Sequence, residues 1–147
     1  MRLDMTDREL RELFTPSAQE KIQTAEKILK VRIIEPEQEK NDDLLVLFYA
    51  FYKEIANYEH YRIPVYKEMK EVYKKHGKDS FLLFAYLEDA PLAAVWITIS
   101  GESLTFRAFG SVRKGYELHA DYFLFYQAML LAKKHKAESI STTDQEF

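Results

Sequence analysis

The sequence predicts an α+β fold in which a mostly antiparallel sheet is flanked by helices. Two stretches carry this expectation. Residues 81–111 read as three strands joined by two tight turns. Residues 119–136, HADYFLFYQAMLLAKKHK, hold neither glycine nor proline, so they can be helical for about 18 residues. Apolar residues fall around most of the circumference of that helix, as they do when a helix is covered on more than one side. It is therefore expected near the centre of the molecule.

Taken in order, Thr6 and Glu9 have capping-box spacing and open a short helix with Leu10, Leu13 and Phe14 on one side. Thr15 is an N-cap and Pro16 a first-turn residue for a second helix, whose apolar stripe is Ala18, Ile22, Ala25, Ile28 and Leu29. Residues 31–35 form a short strand that Pro36 ends, because proline has no amide to donate. Residues 37–43 are the most polar stretch, a surface linker with an N-cap at Asn41 or Asp42. Residues 44–58 read as an apolar helix, with Leu44, Leu45, Leu47, Phe48, Phe51 and Ile55 inward and Tyr49, Tyr52 and Tyr58 at its margins. A tyrosine-rich connection over residues 57–63 leads to Pro64. There a further helix starts, carrying Val65, Met69, Val72 and Tyr73 and closing at His76 before Gly77.

The meander comes next. Residues 81–88 are its first strand, broken by Asp89-Ala90-Pro91. Residues 92–100 are its second, and Gly101-Glu102 closes a hairpin onto residues 103–111. In that third strand Leu104, Phe106, Ala108 and Gly110 alternate against Thr105, Arg107, Phe109 and Ser111. Residues 112–118 are expected as a loop that brings two cations, a glycine and free backbone amides to the start of the long helix, where a helix offers partial positive charge. A short strand closes the order α, α, β, α, α, β, β, β, α, β.

Composition narrows the function classes. A chain of 147 residues fits one domain with a real core. No apolar run approaches the roughly 18 to 20 residues of a membrane span, and the opening MRLDMTDREL is charged where a signal peptide is apolar, so the expected compartment is the cytoplasm. The absence of cysteine excludes disulfides, thiolate metal sites and a cysteine nucleophile. His60, His76, His119 and His135 form no paired ligand spacing, so no metal is expected. A net charge of −3 gives no general attraction to nucleic acid. Ten tyrosines and ten phenylalanines offer either stacking surfaces or ordinary core. No nucleophile elbow, phosphate-binding P-loop or dinucleotide fingerprint occurs.

The segments FRAFGS (106–111), ADYFLFYQAM (120–129) and AKKHK (132–136) carry a resemblance, supported upstream by LRELF (10–14), KIQTAEK (21–27) and residues 45–58. Together they resemble the acyltransferase core of the GNAT superfamily. More narrowly, they are similar to the FemABX group of aminoacyl-tRNA-dependent transferases that build peptidoglycan bridges. The resemblance implies a GNAT-like mixed, mostly antiparallel sheet. Its third meander strand and the strand after the long helix would splay apart around an acyl donor. It also implies transfer of an activated acyl group to an amine, with aminoacyl-tRNA and a muropeptide precursor as partners. FemABX enzymes usually hold two such domains; residues 1–147 make a single one, a half or truncated form by that comparison. No cofactor is expected. Coenzyme-A-using GNAT enzymes carry a glycine-rich pyrophosphate signature, and VRKGYELHA (112–120) has one glycine there.

The candidate site residues gather around the same loop. Arg107, Arg113 and Lys114 are candidate contacts for a phosphate or carboxylate, or else a solvated edge, and Tyr116 and Tyr122 complete the substrate-binding set. His119 is a candidate general base, and Asp121 a candidate to hold the attacking amine. An acidic residue in a first helical turn also simply suits the helix dipole. Two other functions fit the same residues. One is a non-catalytic binding or assembly module that forms a homodimer through an open sheet edge; the other is a small-molecule N-acyltransferase.

Overall fold

Strands β2 (Ser80–Leu87) and β3 (Ala90–Ser100) are apolar at nearly every position, a pattern that suits strands covered on both faces. The structure is a computed structural model that describes residue 3, residues 5–36 and residues 41–142. It bears the layering out. The sheet has the order β1 (Leu29–Ile34), β2, β3, β4 (Ser103–Ser111), β5 (Ser139–Thr142). Every pair is antiparallel except β4 and β5, which run parallel. One face carries α1 (Asp7–Glu12), α2 (Pro16–Glu26) and α6 (Ala120–Lys134), packed on Leu83, Ala85, Val95, Ile97 and Leu104. The other carries α3 (Asn41–Glu59) and α4 (Tyr66–His76), packed on Leu82, Phe84, Ala94 and Trp96.

Local chemistry accounts for most boundaries. Thr6 and Glu9 form the expected capping box, and Thr15 caps α2 with Pro16 in its first turn. Gly77 ends α4 at φ 44°, and Gly101 turns β3 into β4 at φ 57°, both in the left-handed region that glycine enters without strain. The long helix is buried on most sides, because the sheet lies beneath it and α2 beside it.

Several expectations are corrected. Leu13 and Ile28 are exposed; both lie past the ends of α1 and α2, outside the helical stripe that faces the core. Tyr52 is buried and stacks on Phe48 at 5.7 Å instead of lying at a margin. Val65 caps α4 from outside and is exposed. Asn41 and Asp42 are already inside α3, so neither caps it; residues 37–40 of the expected linker lie outside the described residues. Residues 112–118 are not a plain loop but contain a short helix, α5 (Arg113–Glu117).

The most consequential correction is in β4. Ile97 pairs with Phe106 and Trp96 with Ala108, so Arg107 is an extra residue, a β-bulge. The bulge switches the alternation. Leu104 and Phe106 face α6, whereas Ala108 and Gly110 face α3, and Phe109 joins the α6 side opposite Val95.

Candidate functional site

The parallel pairing of β4 with β5 runs from Ser103 opposite Ser139 to Phe106 opposite Thr142, and these are the pairs among the described residues. A bulge bends its strand and sharpens the local twist, so the segment from Arg107 to Ser111 is re-aimed relative to the part that pairs with β5. Arg107 itself reaches onto the α3/α4 face, where its Nε donates to Thr98 Oγ1 at 3.1 Å. On the opposite face, Phe125 of α6 lies against Phe106 (4.9 Å, edge to face) and Phe109 (6.0 Å).

At the end of β4 the chain turns through α5. Val112 N–H and the Ser111 hydroxyl both donate to Leu92 O, fixing the turn to β3. Gly115 is buried there because a β-carbon would come within 2.5 Å of Ser111 Oγ and 2.8 Å of Leu92 O. The outer side of α5 meets the end of α3. Arg113 pairs with Glu117 at 3.7 Å and lies 5.5 Å above the Tyr58 ring, which is 5.9 Å from Tyr116. The Tyr116 hydroxyl is held above its ordinary pKa by burial, then by the negative fields of Glu59 and Asp121 and by hydrogen bonding toward Glu59. Lys114 is exposed, and its carbonyl accepts the Leu118 N–H.

The start of α6 faces α2. His119 adopts a left-handed backbone (φ 63°) and lines a recess of about 260 Å³ with Ser17, Glu20, Lys21 and Thr24. Its ring is 6.3 Å from Tyr122, and the Lys21 ammonium lies 4.8 Å above that same tyrosine. Asp121 is half-buried, and burial pushes its carboxyl above the usual range. Hydrogen bonds from the Tyr122 and Asp121 N–H groups and the charges of His119 and Lys21 pull the other way without cancelling it.

The predicted residues therefore fall into three places. His119, Asp121 and Tyr122 come together with Lys21, while Arg113 and Tyr116 come together with Tyr58 and Glu59. Asp121 links the two groups through the negative field it exerts on the Tyr116 hydroxyl. Arg107 lies apart, on the other face of the sheet. Sequence reasoning missed Lys21, Tyr58 and Glu59. Only the packing of α2 and α3 against the turn into α6 brings them near it, and no local motif marks them.

The raised Asp121 pKa has a sign that can be checked. A carboxyl whose folded pKa is raised contributes stability below its unfolded value, near 3.8, and loses it as pH rises through the raised value. Asp121→Asn keeps a side-chain acceptor for the two amides and removes the charge. The variant should therefore gain stability relative to the parent as pH rises through that window, measured by urea midpoints between pH 3.5 and 6. A parent that gains instead would show that the hydrogen bonds and cations dominate.

The sequence matches no family profile and no curated protein. Solved structures do match in fold. The chain superposes over its full length on FemX (TM-score 0.79, 13% identity), covering 53% of that chain, and so spans about half its length. An aminoglycoside acetyltransferase, meta-AAC0020, from an uncultured soil metagenomic sample in complex with sisomicin gives a TM-score of 0.59 at 8% identity, over 82% of this chain and 80% of that one. A predicted acetyltransferase from Clostridium acetobutylicum with acetyl-CoA gives 0.59 at 12%, over 81% and 82%. At these identities the likeness is one of fold. The chain shares their mixed α+β architecture, a mostly antiparallel, GNAT-like sheet flanked by helices on both faces. No helix among the described residues is long and apolar enough to cross a membrane.

A coenzyme A diphosphate does not fit the start of α6 as it stands. The Asp121 carboxyl lies near the Asp121 and Tyr122 amides, which act to lower its pKa, and the His119 and Leu118 amides donate to the carbonyls of Tyr116 and Lys114. Gly115, the glycine of the turn, faces Ser111 and Leu92 and not an open cradle. A carboxylate beside these amides opposes an incoming anion.

Proposed function

We propose that the chain is an acyltransferase that moves an activated acyl group onto an amine, nearer in kind to the FemABX aminoacyl transferases than to coenzyme-A-dependent acetyltransferases. The observation that carries this reading is the bulge at Arg107, in a chain that superposes on FemX from end to end. It re-aims the part of β4 that follows Phe106, and the backbone of a strand bent in this way can hydrogen-bond an acyl donor. The Asp121 carboxyl beside the first amides of α6 supports a donor that is not gripped by its diphosphate.

The transfer needs little more than positioning and one proton path. The amine nitrogen attacks the acyl carbonyl carbon, a C–N bond forms, and the bond from that carbon to the leaving oxygen or sulfur breaks. The amine gives its proton to a base, and the leaving group takes one up. Asp121, whose pKa is raised by burial, and His119 beside it are the candidate bases. Arg113, Lys114, Tyr116 and Tyr122 are candidate contacts for the substrates, and Arg107 serves the opposite face of the sheet. Aminoacyl-tRNA and a muropeptide precursor are the proposed donor and acceptor, with a second domain of the same fold as a proposed partner.

Two measurements test this. A UDP-linked muropeptide should raise the melting temperature, whereas coenzyme A should leave it unchanged. A shift with coenzyme A alone would favour a small-molecule N-acyltransferase. In a transfer assay, His119→Ala and Asp121→Asn should each lower turnover by roughly 10²-fold, in the range for loss of a general base. Arg113→Ala should raise KM more than it lowers kcat. Turnover unchanged in all three would remove these residues from the mechanism.

A further inference from the structure

Helix α6 presents two tyrosines one turn apart, Tyr122 and Tyr126, and each carries a cation over its ring. The two cations are held differently. The Arg11 guanidinium lies 4.5 Å from the Tyr126 ring centre and is tied to both oxygens of Glu26, at 2.9 and 2.8 Å, so its charge is answered where it stands. The Lys21 ammonium lies 4.8 Å from the Tyr122 ring centre and, among the described residues, forms no ion pair. The acid on which its charge acts is Asp121, the neighbour of Tyr122 in the first turn of α6. A lysine on a solvated helix face keeps its head in water. Lys21 is instead half-buried, whereas the other residues that α2 contributes to the recess, Ser17, Glu20 and Thr24, are exposed.

We propose that Lys21 is a positioning residue for the transfer: from α2 it pins the Tyr122 ring and sets a positive charge against the Asp121 carboxylate beside His119. This rests on the acyltransferase reading, in which Asp121 and His119 are the candidate bases, and adds a residue that acts through them. The reason is electrostatic. Burial favours the neutral form of Asp121, and a neutral carboxyl cannot take the proton of an attacking amine. The groups around Asp121 are His119 on its own helix, Lys21 from α2 and the Tyr116 hydroxyl from α5, which lies under the field of Glu59 from α3; Glu20 borders the same recess. Of these, Lys21 brings the positive charge that another helix supplies. Without it the carboxyl titrates at higher pH, and a transfer that needs the ionised acid loses the low-pH side of its range.

The test compares Lys21→Met, which keeps the stem and removes the charge, with Lys21→Arg, which restores a charge, and with Arg11→Met, which removes the other cation over α6. The Asp121 carboxyl is followed by carbon-detected NMR in the free protein, its signal identified by its loss in Asp121→Asn. Its titration should move to higher pH in Lys21→Met and return in Lys21→Arg. Arg11→Met should leave that titration in place and lower only the melting temperature. With aminoacyl-tRNA and a UDP-linked muropeptide as substrates, the acid limb of kcat/KM should move the same way. At a pH on that limb, Lys21→Met should lose roughly threefold more than on the plateau, the size expected of a partly exposed charge pair. An Asp121 titration that moves in Lys21→Met while the parent shows no transfer would uphold the coupling and sink the acyltransferase reading. A titration unchanged in Lys21→Met, or moved as far by Arg11→Met, would overturn the proposal and leave the transferase reading standing.

Discussion

Gly110→Val should lower stability by about 3 kcal/mol, at the upper end for overpacking. For a chain of this size that is a fall in melting temperature of about 6–12 °C. The cause is a close approach of two backbones. A β-carbon on Gly110 would come within 2.3 Å of Tyr52 N and 2.5 Å of the Phe51 carbonyl carbon, both in the main chain of α3. A flexible side chain could move aside, but a helix seated on the sheet through Phe48, Phe51 and Ile55 cannot shift without opening that whole layer. Gly101→Ala is the natural comparison, since its surroundings are open and only its left-handed backbone opposes a β-carbon, a cost of about 1 kcal/mol. If the two variants lost stability equally, backbone conformation and not crowding would be the reason Gly110 is glycine.

Trp96→Ala should cost about 4 kcal/mol, in the range for removing a fully buried aromatic. Trp96 is completely buried between β2 and α4, 5.6 Å from the Tyr73 ring, and its Nε1 donates to Ser80 Oγ at 3.3 Å. The serine hydroxyl in turn donates to Tyr73 O at 3.1 Å. Removing the indole therefore leaves a cavity and breaks the polar chain that ties the end of α4 to the sheet. Trp96→Phe loses the same bond to Ser80 but should cost less than half as much, since most of the volume remains filled. Circular dichroism in urea would measure both, because Trp96 is the sole tryptophan and its fluorescence is lost with it. An alanine variant within 1 kcal/mol of the parent would mean the site collapses to fill the hole.

Much of the architecture could be read from residue patterns. The caps at Thr6 and Thr15, the stop at Gly77 and the turn at Gly101 are local chemistry and fell where expected. The strands of the meander and the buried helix followed from periodicity. The bulge was hidden because Leu104 to Ser111 alternates plausibly without it; only pairing with β3 shows that Arg107 is supernumerary. The helix α5 was missed because RKGYE is short and contains a glycine, and its stability comes from docking on Leu92 and Ser111, not from helix propensity. For the site, the turn into α6 was legible as a concentration of cations. The burial of the Asp121 carboxyl, and Glu59 and Lys21 contributed by other helices, depend on three-dimensional contact.

The supernumerary residue in β4 also separates the shape of that strand from its bookkeeping of faces. Deleting one residue almost anywhere else in a strand turns every side chain after it inside out. Residue 107 is the exception. Remove it, and Phe106 and Ala108 become ordinary neighbours, still opposite Ile97 and Trp96, with Gly110 still beneath α3. Shortening the chain by that one position straightens the edge while sparing the core, so the bend and the fold can be inherited, or lost, independently.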